Sequence, residues 1–333
     1  MQNFLDPAIL FFVFGLLAGL VKSNLEIPPP ISRFLSLYLL MALGLKGGFA
    51  LAGSGFNASV ATSLACAVLL AILIPVMGYQ VLRRFLSGFD AAAIAATYGS
   101  VSAVTFITTT QFLESHQIAY GGHMAAAMAL MESPAIVIAV LLANRVRHSL
   151  SVQSNSLASN QQARIAGSQV SLGKLLHESV TDGAQMLLMG ALVIGMLTGE
   201  SGKAVMHVFS VDLFKGMLAF FLLDMGLLAA RNISALKTSS IGLLIYAVVA
   251  PVLHAGIALL LSVLCGLNPG DACLLMLLAA SASYIAVPAA LRIAIPEANP
   301  SLYIGLSLGV TFPVNILVGI PLYSHIAQRV LAH

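Results

Sequence analysis

Apolar residues in this chain neither alternate with polar ones nor keep to one helical face. They run in membrane-length stretches, parted by short polar breaks. Ten such stretches can be read, at roughly 8–22, 32–53, 57–83, 90–112, 120–144, 180–199, 210–230, 239–266, 271–292 and 301–328. A helix needs about 20 apolar residues to cross the hydrocarbon core. The pattern therefore predicts an all-α polytopic membrane protein with ten transmembrane helices.

Composition agrees. Of 333 residues, 59% are hydrophobic and 8% charged, against about a quarter charged in a soluble domain. No soluble domain is expected. Met1 to Lys22 lacks a basic start, and Asp6 precedes its apolar run, so the segment is expected to be the first span and not a secretory signal. The cysteines Cys66, Cys265 and Cys273 lack metal-ligand spacing and are read as small buried hydrophobes. No nucleophile with a base and no His-Glu-x-x-His pattern is present, so no enzyme is expected. Neither an organic cofactor nor a nucleic-acid partner is expected.

The stretches fall into two halves. Residues 1–144 form the first five spans and 180–333 the second five, with a polar linker at 145–179 rich in Ser, Asn and Gln. The halves resemble each other. Pro75 answers Pro251, Asp90 answers Asp271, and Ser100 and Ser102 answer Ser281 and Ser283. Tyr120 and Gly122 answer Tyr303 and Gly305, and Pro134 answers Pro313. A repeat of five spans places its second copy upside down, the inverted-repeat plan of secondary transporters. Loops after odd-numbered spans hold Lys22, Arg33, Arg83, Arg84, Arg145, Arg147, Arg164, Lys174, Arg231, Lys237 and Arg292. Basic residues mark the cytoplasmic side. Both termini are thus expected outside the plasma membrane and the linker in the cytoplasm.

The fourth and ninth spans are interrupted alike, by "GSVSAVT" at Gly99–Thr105 and "SASYIAVP" at Ser281–Pro288. A mid-membrane break exposes N–H and C=O groups at several kcal/mol each, unless protein or water satisfies them. Crossed breaks would bring helix N-termini to an anion, and carbonyls and hydroxyls to a small cation. A blander reading is close packing of small residues. Two equivalent copies favour a site. Its expected substrate-binding residues are Gly99, Ser100, Val101, Ser102, Ala280, Ser281, Ala282 and Ser283. Its expected cation ligands are Ser102, Thr105, Glu132, Asp224, Ser283, Thr311 and Asn315. Glu132 and Asp224 are intramembrane carboxylates. Lys46 is read as interfacial and snorkelling, His254 as a hydrogen-bonded core histidine, and His123 as interfacial.

"LRIAIPEANPSLYIG" from Leu291 resembles the sodium-dependent bicarbonate transporter family, the SbtA-like permeases. So do "LGLKGGFAL" at Leu43, "YGSVSAVTF" at Tyr98, "LESHQIAYGG" at Leu113 and "VVAPVLHAGIA" at Val248. The resemblance implies a homotrimer in the lipid bilayer with sodium and substrate held where the broken helices meet. It also implies a cytoplasmic surface that a PII-like regulator can plug, although the short, weakly charged linker argues against that partner. By position, Gly99, Ser102, Thr105, Ser281, Ser283 and Glu132 match the family's polar site positions. Tyr284 stands where the family carries an acidic residue, and Asp224 is expected to replace that charge. The expected function is sodium-coupled symport of bicarbonate or a small carboxylate by alternating access. Proton-coupled transport of another small solute, or a ligand-binding sensor without transport, is the alternative.

Overall fold

The computed structural model describes residues 6–55, 57–155, 181–236 and 240–331. Among these, regular structure is helical and no strand is present. The helices are α1 (Pro7–Leu20), α2 (Pro29–Ser54), α3 (Ala58–Leu82), α4 (Gly88–Gly99), α5 (Ala103–Ser115) and α6 (Met124–Asn155). They continue with α7 (Gly183–Val205), α8 (Phe214–Ala235), α9 (Ile241–Leu264), α10 (Pro269–Ala280) and α11 (Ala286–Ala294). The last, α12 (Pro300–Leu331), contains two π-helical stretches, Ser307–Thr311 and Asn315–Gly319.

Eight helical stretches among the described residues are long and apolar enough to cross a membrane, with Gly88–Ser115 counted as one. α1 and α10 are apolar but shorter. The ninth stretch, read from sequence as one run over 271–292, is therefore two helices. The linker begins later than 145, because α6 continues through Asn155. Residues 156–180 lie outside the described residues.

Local chemistry sets the helix starts. Asp6 accepts from the Ala8 N–H at 2.8 Å ahead of Pro7, which lacks the N–H a first turn leaves unpaired. Asn57, Ser87 and Asn268 likewise accept from Val60, Asp90 and Asp271 at 3.0, 3.0 and 2.9 Å.

Packing interleaves the two halves. α1 lies along α8, and α2 along α7. Both contacts run on glycine. A Cβ at Gly15 would stand 2.2 Å from the Leu223 carbonyl oxygen, and one at Gly48 would stand 2.1 Å from that of Leu192. Small residues let helices in lipid approach this closely, where dispersion and not water exclusion drives association. α4 and α10 occupy the centre. Residues 91–99 of α4 and every residue of α10 from Gly270 to Ala280 are buried, as expected of helices that are apolar all round. Their positions hold the breaks in the interior, shielded from lipid.

Two carboxylates fasten the outer turns of these central helices. Asp90 accepts from the Asn299 N–H at 2.8 Å, just ahead of α12. Asp271 accepts from the Gly121 N–H at 2.6 Å, just ahead of α6.

Candidate functional site

The first break spans Ser100–Ser102. Ser100 is extended (φ −95°, ψ −171°), and Ser102 caps α5. The Ser102 hydroxyl accepts from the Thr105 N–H at 3.2 Å and from the Thr105 hydroxyl at 3.0 Å. The second break spans Ser281–Ile285. Ser281 ends α10, and the Ser283 hydroxyl accepts from the Val287 N–H of α11 at 3.3 Å.

The two breaks satisfy each other. The Ser102 N–H donates to the Ser281 hydroxyl at 3.0 Å, and the Ser283 N–H donates to the Thr97 carbonyl at 2.8 Å. The Ser281 hydroxyl in turn donates to the Leu278 carbonyl at 2.9 Å. Each break thus supplies partners for backbone groups that hydrocarbon would leave bare.

Beside this junction is a narrow cavity of about 70 Å³. Its walls include Val101 and Ser102 of the first break, Ala103 and Val104 of α5, Ser283 to Ile285 of the second break, Ala286 of α11, Glu132 of α6 and Gln185 of α7. Gln185 donates its amide N–H to the Glu132 carboxylate. The first turns of both α5 and α11 face the cavity, and the leading N–H groups of a helix have no intrahelical acceptor. The wall therefore presents two positive helix ends, two serine hydroxyls and one carboxylate.

The other expected site residues stand apart from these walls. Gly99 packs against Pro75 of α3, where a Cβ would come within 2.5 Å of the ring. Ser100 is fully buried, and its hydroxyl finds no hydrogen-bond partner among the described residues. Ala280 presents its carbonyl to the Asn315 amide at 2.8 Å, while the Asn315 Oδ1 is left unpartnered. Ala282 is buried against the α4 and α12 side of the bundle. Thr105 serves the Ser102 cap. Thr311 donates to the Ala247 carbonyl at 2.8 Å, so it is Tyr98 that donates to Thr311, at 2.6 Å. Asp224 is buried on α8 and accepts from the Ser32 hydroxyl of α2.

Three features were not read from sequence. Gln185 partners Glu132. Tyr284 is a buried wall residue whose hydroxyl donates to the Met225 sulfur at 3.5 Å and whose ring meets Phe312 edge-on at 5.4 Å. Lys46, read as interfacial and snorkelling, pairs with Glu114 at 2.9 Å and lies 4.3 Å over the Phe214 ring. Tyr120 donates to the same Glu114 carboxylate at 2.8 Å. The only trace of Gln185 in the sequence was an amide at the start of an apolar span.

His254 is buried, as a core histidine should be, with its ring against the Ala279 carbonyl. His123, expected at the interface, is buried with its Nε2 3.6 Å from the Asp271 carboxylate.

Apolar helices of spanning length around two interlocked breaks define a multi-pass membrane protein with an interior polar junction. The chain belongs to the Na+-dependent bicarbonate transporter superfamily, whose family model matches residues 7–328. Among individually curated proteins, none matches the chain. Family membership makes it a transporter and not an enzyme.

Proposed function

We propose that this protein is a symporter that carries bicarbonate or a small carboxylate with sodium, by alternating access around the paired breaks. One observation carries this reading. The Ser102–Ser281 and Ser283–Thr97 bonds hold two helix N-termini against a single cavity that also contains Glu132. Helix N-termini favour an anion. The Ser102 and Ser283 hydroxyls and the Glu132 carboxylate are oxygen ligands of the kind a hard cation takes. A cation beside an anion in a low-dielectric site lowers the cost of dehydrating both, and this couples their movement.

A cavity of about 70 Å³ suits a small solute and not a bulky one. The proposed substrate contacts are Val101, Ser102 and Ser283, which line the cavity, with Ser281 holding the Ser102 backbone in place. The proposed cation set is Glu132, Ser102 and Ser283, with Thr105, Thr311, Asn315 and Asp224 supporting from the surrounding helices.

The exchange of partners, α1 with α8 and α2 with α7, supports ten spans in two inverted repeats. Helix n of one half there meets the counterpart of its neighbour in the other. The basic-residue distribution supports a plasma-membrane orientation with both termini outside. The homotrimer rests on family resemblance.

Labelled bicarbonate and small carboxylates, offered to proteoliposomes with and without an inward sodium gradient, test the reading. Uptake of one of these anions that needs sodium supports it. Uptake driven equally well by a proton gradient alone overturns sodium coupling in favour of proton transfer through Glu132. Binding without flux selects a sensor.

A further inference from the structure

Cys66 and Cys265 are 199 residues apart in the chain, yet their sulfur atoms lie 3.5 Å apart. Cys66 is on the buried face of α3, in line with Ser63 and Ala67. Cys265 caps the end of α9 and is followed by Gly266 at φ +64°. The buried face of α9 carries the small residues Ala255, Ala258 and Ser262 near its end, and Cys265 follows one turn after Ser262 at the helix rim. α3 and α9 pack on each other, and small residues on both let the backbones approach. Helix packing therefore sets the sulfur contact. Both thiols are free here; Cys66 is buried and Cys265 exposed.

We propose that Cys66 and Cys265 form a disulfide that staples α3 to α9 at the outer rim of the bundle. Cys265 precedes the loop between α9 and α10, which the basic-residue distribution places outside the cell, where disulfides persist. That placement rests on the orientation and is independent of the transported solute. The oxidant is a disulfide carried by a protein donor of the outer compartment. The exposed Cys265 thiolate attacks the donor disulfide, breaks its S–S bond and releases one donor thiol. The Cys66 thiolate then attacks the Cys265 sulfur and releases the second donor thiol. Two protein thiols lose two electrons, the donor disulfide gains them, and the two protons end on the donor sulfurs. An S–S bond of about 2.05 Å requires the sulfurs to close by roughly 1.5 Å from this contact. Cys273, buried on α10, remains a thiol.

The test uses the full chain in membranes treated with oxidised glutathione, then denatured in excess maleimide and weighed intact. The expected result is one adduct before reduction, on Cys273, and three after it, with a linked peptide pair joining residues 66 and 265. Cys265→Ser should give two adducts without reduction. Oxidised wild type should also melt higher than reduced wild type, and Cys265→Ser should not show that difference. Three adducts before reduction, or glutathione retained on Cys265 with Cys66 alkylated, would overturn the proposal. Neither outcome bears on sodium-dependent uptake, which is measured separately.

Discussion

The backbone N–H of Ser102 and the side-chain oxygen of Ser281 meet at 3.0 Å, joining residues 179 apart. This contact converts two separately unstable helix breaks into one satisfied junction. It also makes the junction sensitive to single atoms.

Ser281→Ala removes the acceptor and leaves the Ser102 N–H buried and bare. The expected cost is about 1–3 kcal/mol of stability, read as a lower melting temperature in detergent. Ser281→Thr keeps the oxygen and should recover most of it. Equal melting of the alanine and threonine variants would show that the contact carries no weight.

Glu132→Gln preserves size and a hydrogen-bonding oxygen for Gln185 while removing the charge. The protein should fold, and the sodium concentration that half-saturates uptake should rise at least about tenfold, the equivalent of about 1.4 kcal/mol. An unchanged sodium curve would remove Glu132 from the cation set.

Asp224 accepts from the Ser32 hydroxyl and is proposed to supply the charge that the resemblance expects at Tyr284. Asp224→Asn keeps an acceptor for Ser32. Weaker cation dependence of uptake is expected. If that dependence is unaltered, Asp224 does not replace the lost charge.

Gly48 of α2 and Gly190 of α7 make contrasting test positions, one packed and one open. A Cβ at Gly48 strikes the Leu192 carbonyl, whereas one at Gly190 meets nothing within 4 Å. Gly48→Ala should cost about 1–3 kcal/mol or more through overpacking. Gly190→Ala should be neutral or stabilising by up to about 1 kcal/mol. Comparing yields of folded, monodisperse protein checks both.

Glu297 lies between α11 and α12 and receives two bonds from Arg147, at 2.8 and 2.7 Å. Those bonds hold its carboxyl below the ordinary glutamate value. Its folded pKa is therefore depressed, so its stabilisation is present above the unfolded value of about 4.3 and is lost as pH falls through the folded one. Both side chains are about a third exposed, 31% and 38%, so screening limits the pair to about 1 kcal/mol or less. The melting difference between wild type and Glu297→Gln should be full at neutral pH and vanish in acid.

Much of this arrangement was legible in the sequence. The breaks are local events: serine caps, small residues and a repeated order of landmarks announce them without knowledge of neighbours. The matched Asp90 and Asp271 pointed to equivalent helices, and both prove to fasten loops at the outer turns of α4 and α10. Pro288 marks where the second break ends. It falls in the first turn of α11, where a missing N–H costs little, and the break precedes it. What could not be read was partnership. Gln185 with Glu132, Lys46 with Glu114, and Cys66 with Cys265 each join residues 53 to 199 positions apart, and no local pattern encodes such pairs. Thr311 and Asn315 were legible only as polar residues in an apolar helix; that their donors serve the Ala247 and Ala280 carbonyls is again a matter of partners distant in sequence.

The most direct measurement is uptake of labelled sodium into proteoliposomes with equal sodium inside and out and bicarbonate outside only. Net accumulation of sodium, abolished when Ser102 and Ser283 are both alanine, is the predicted result. Sodium that stays at equilibrium while bicarbonate still moves would contradict the coupling assigned to the paired breaks.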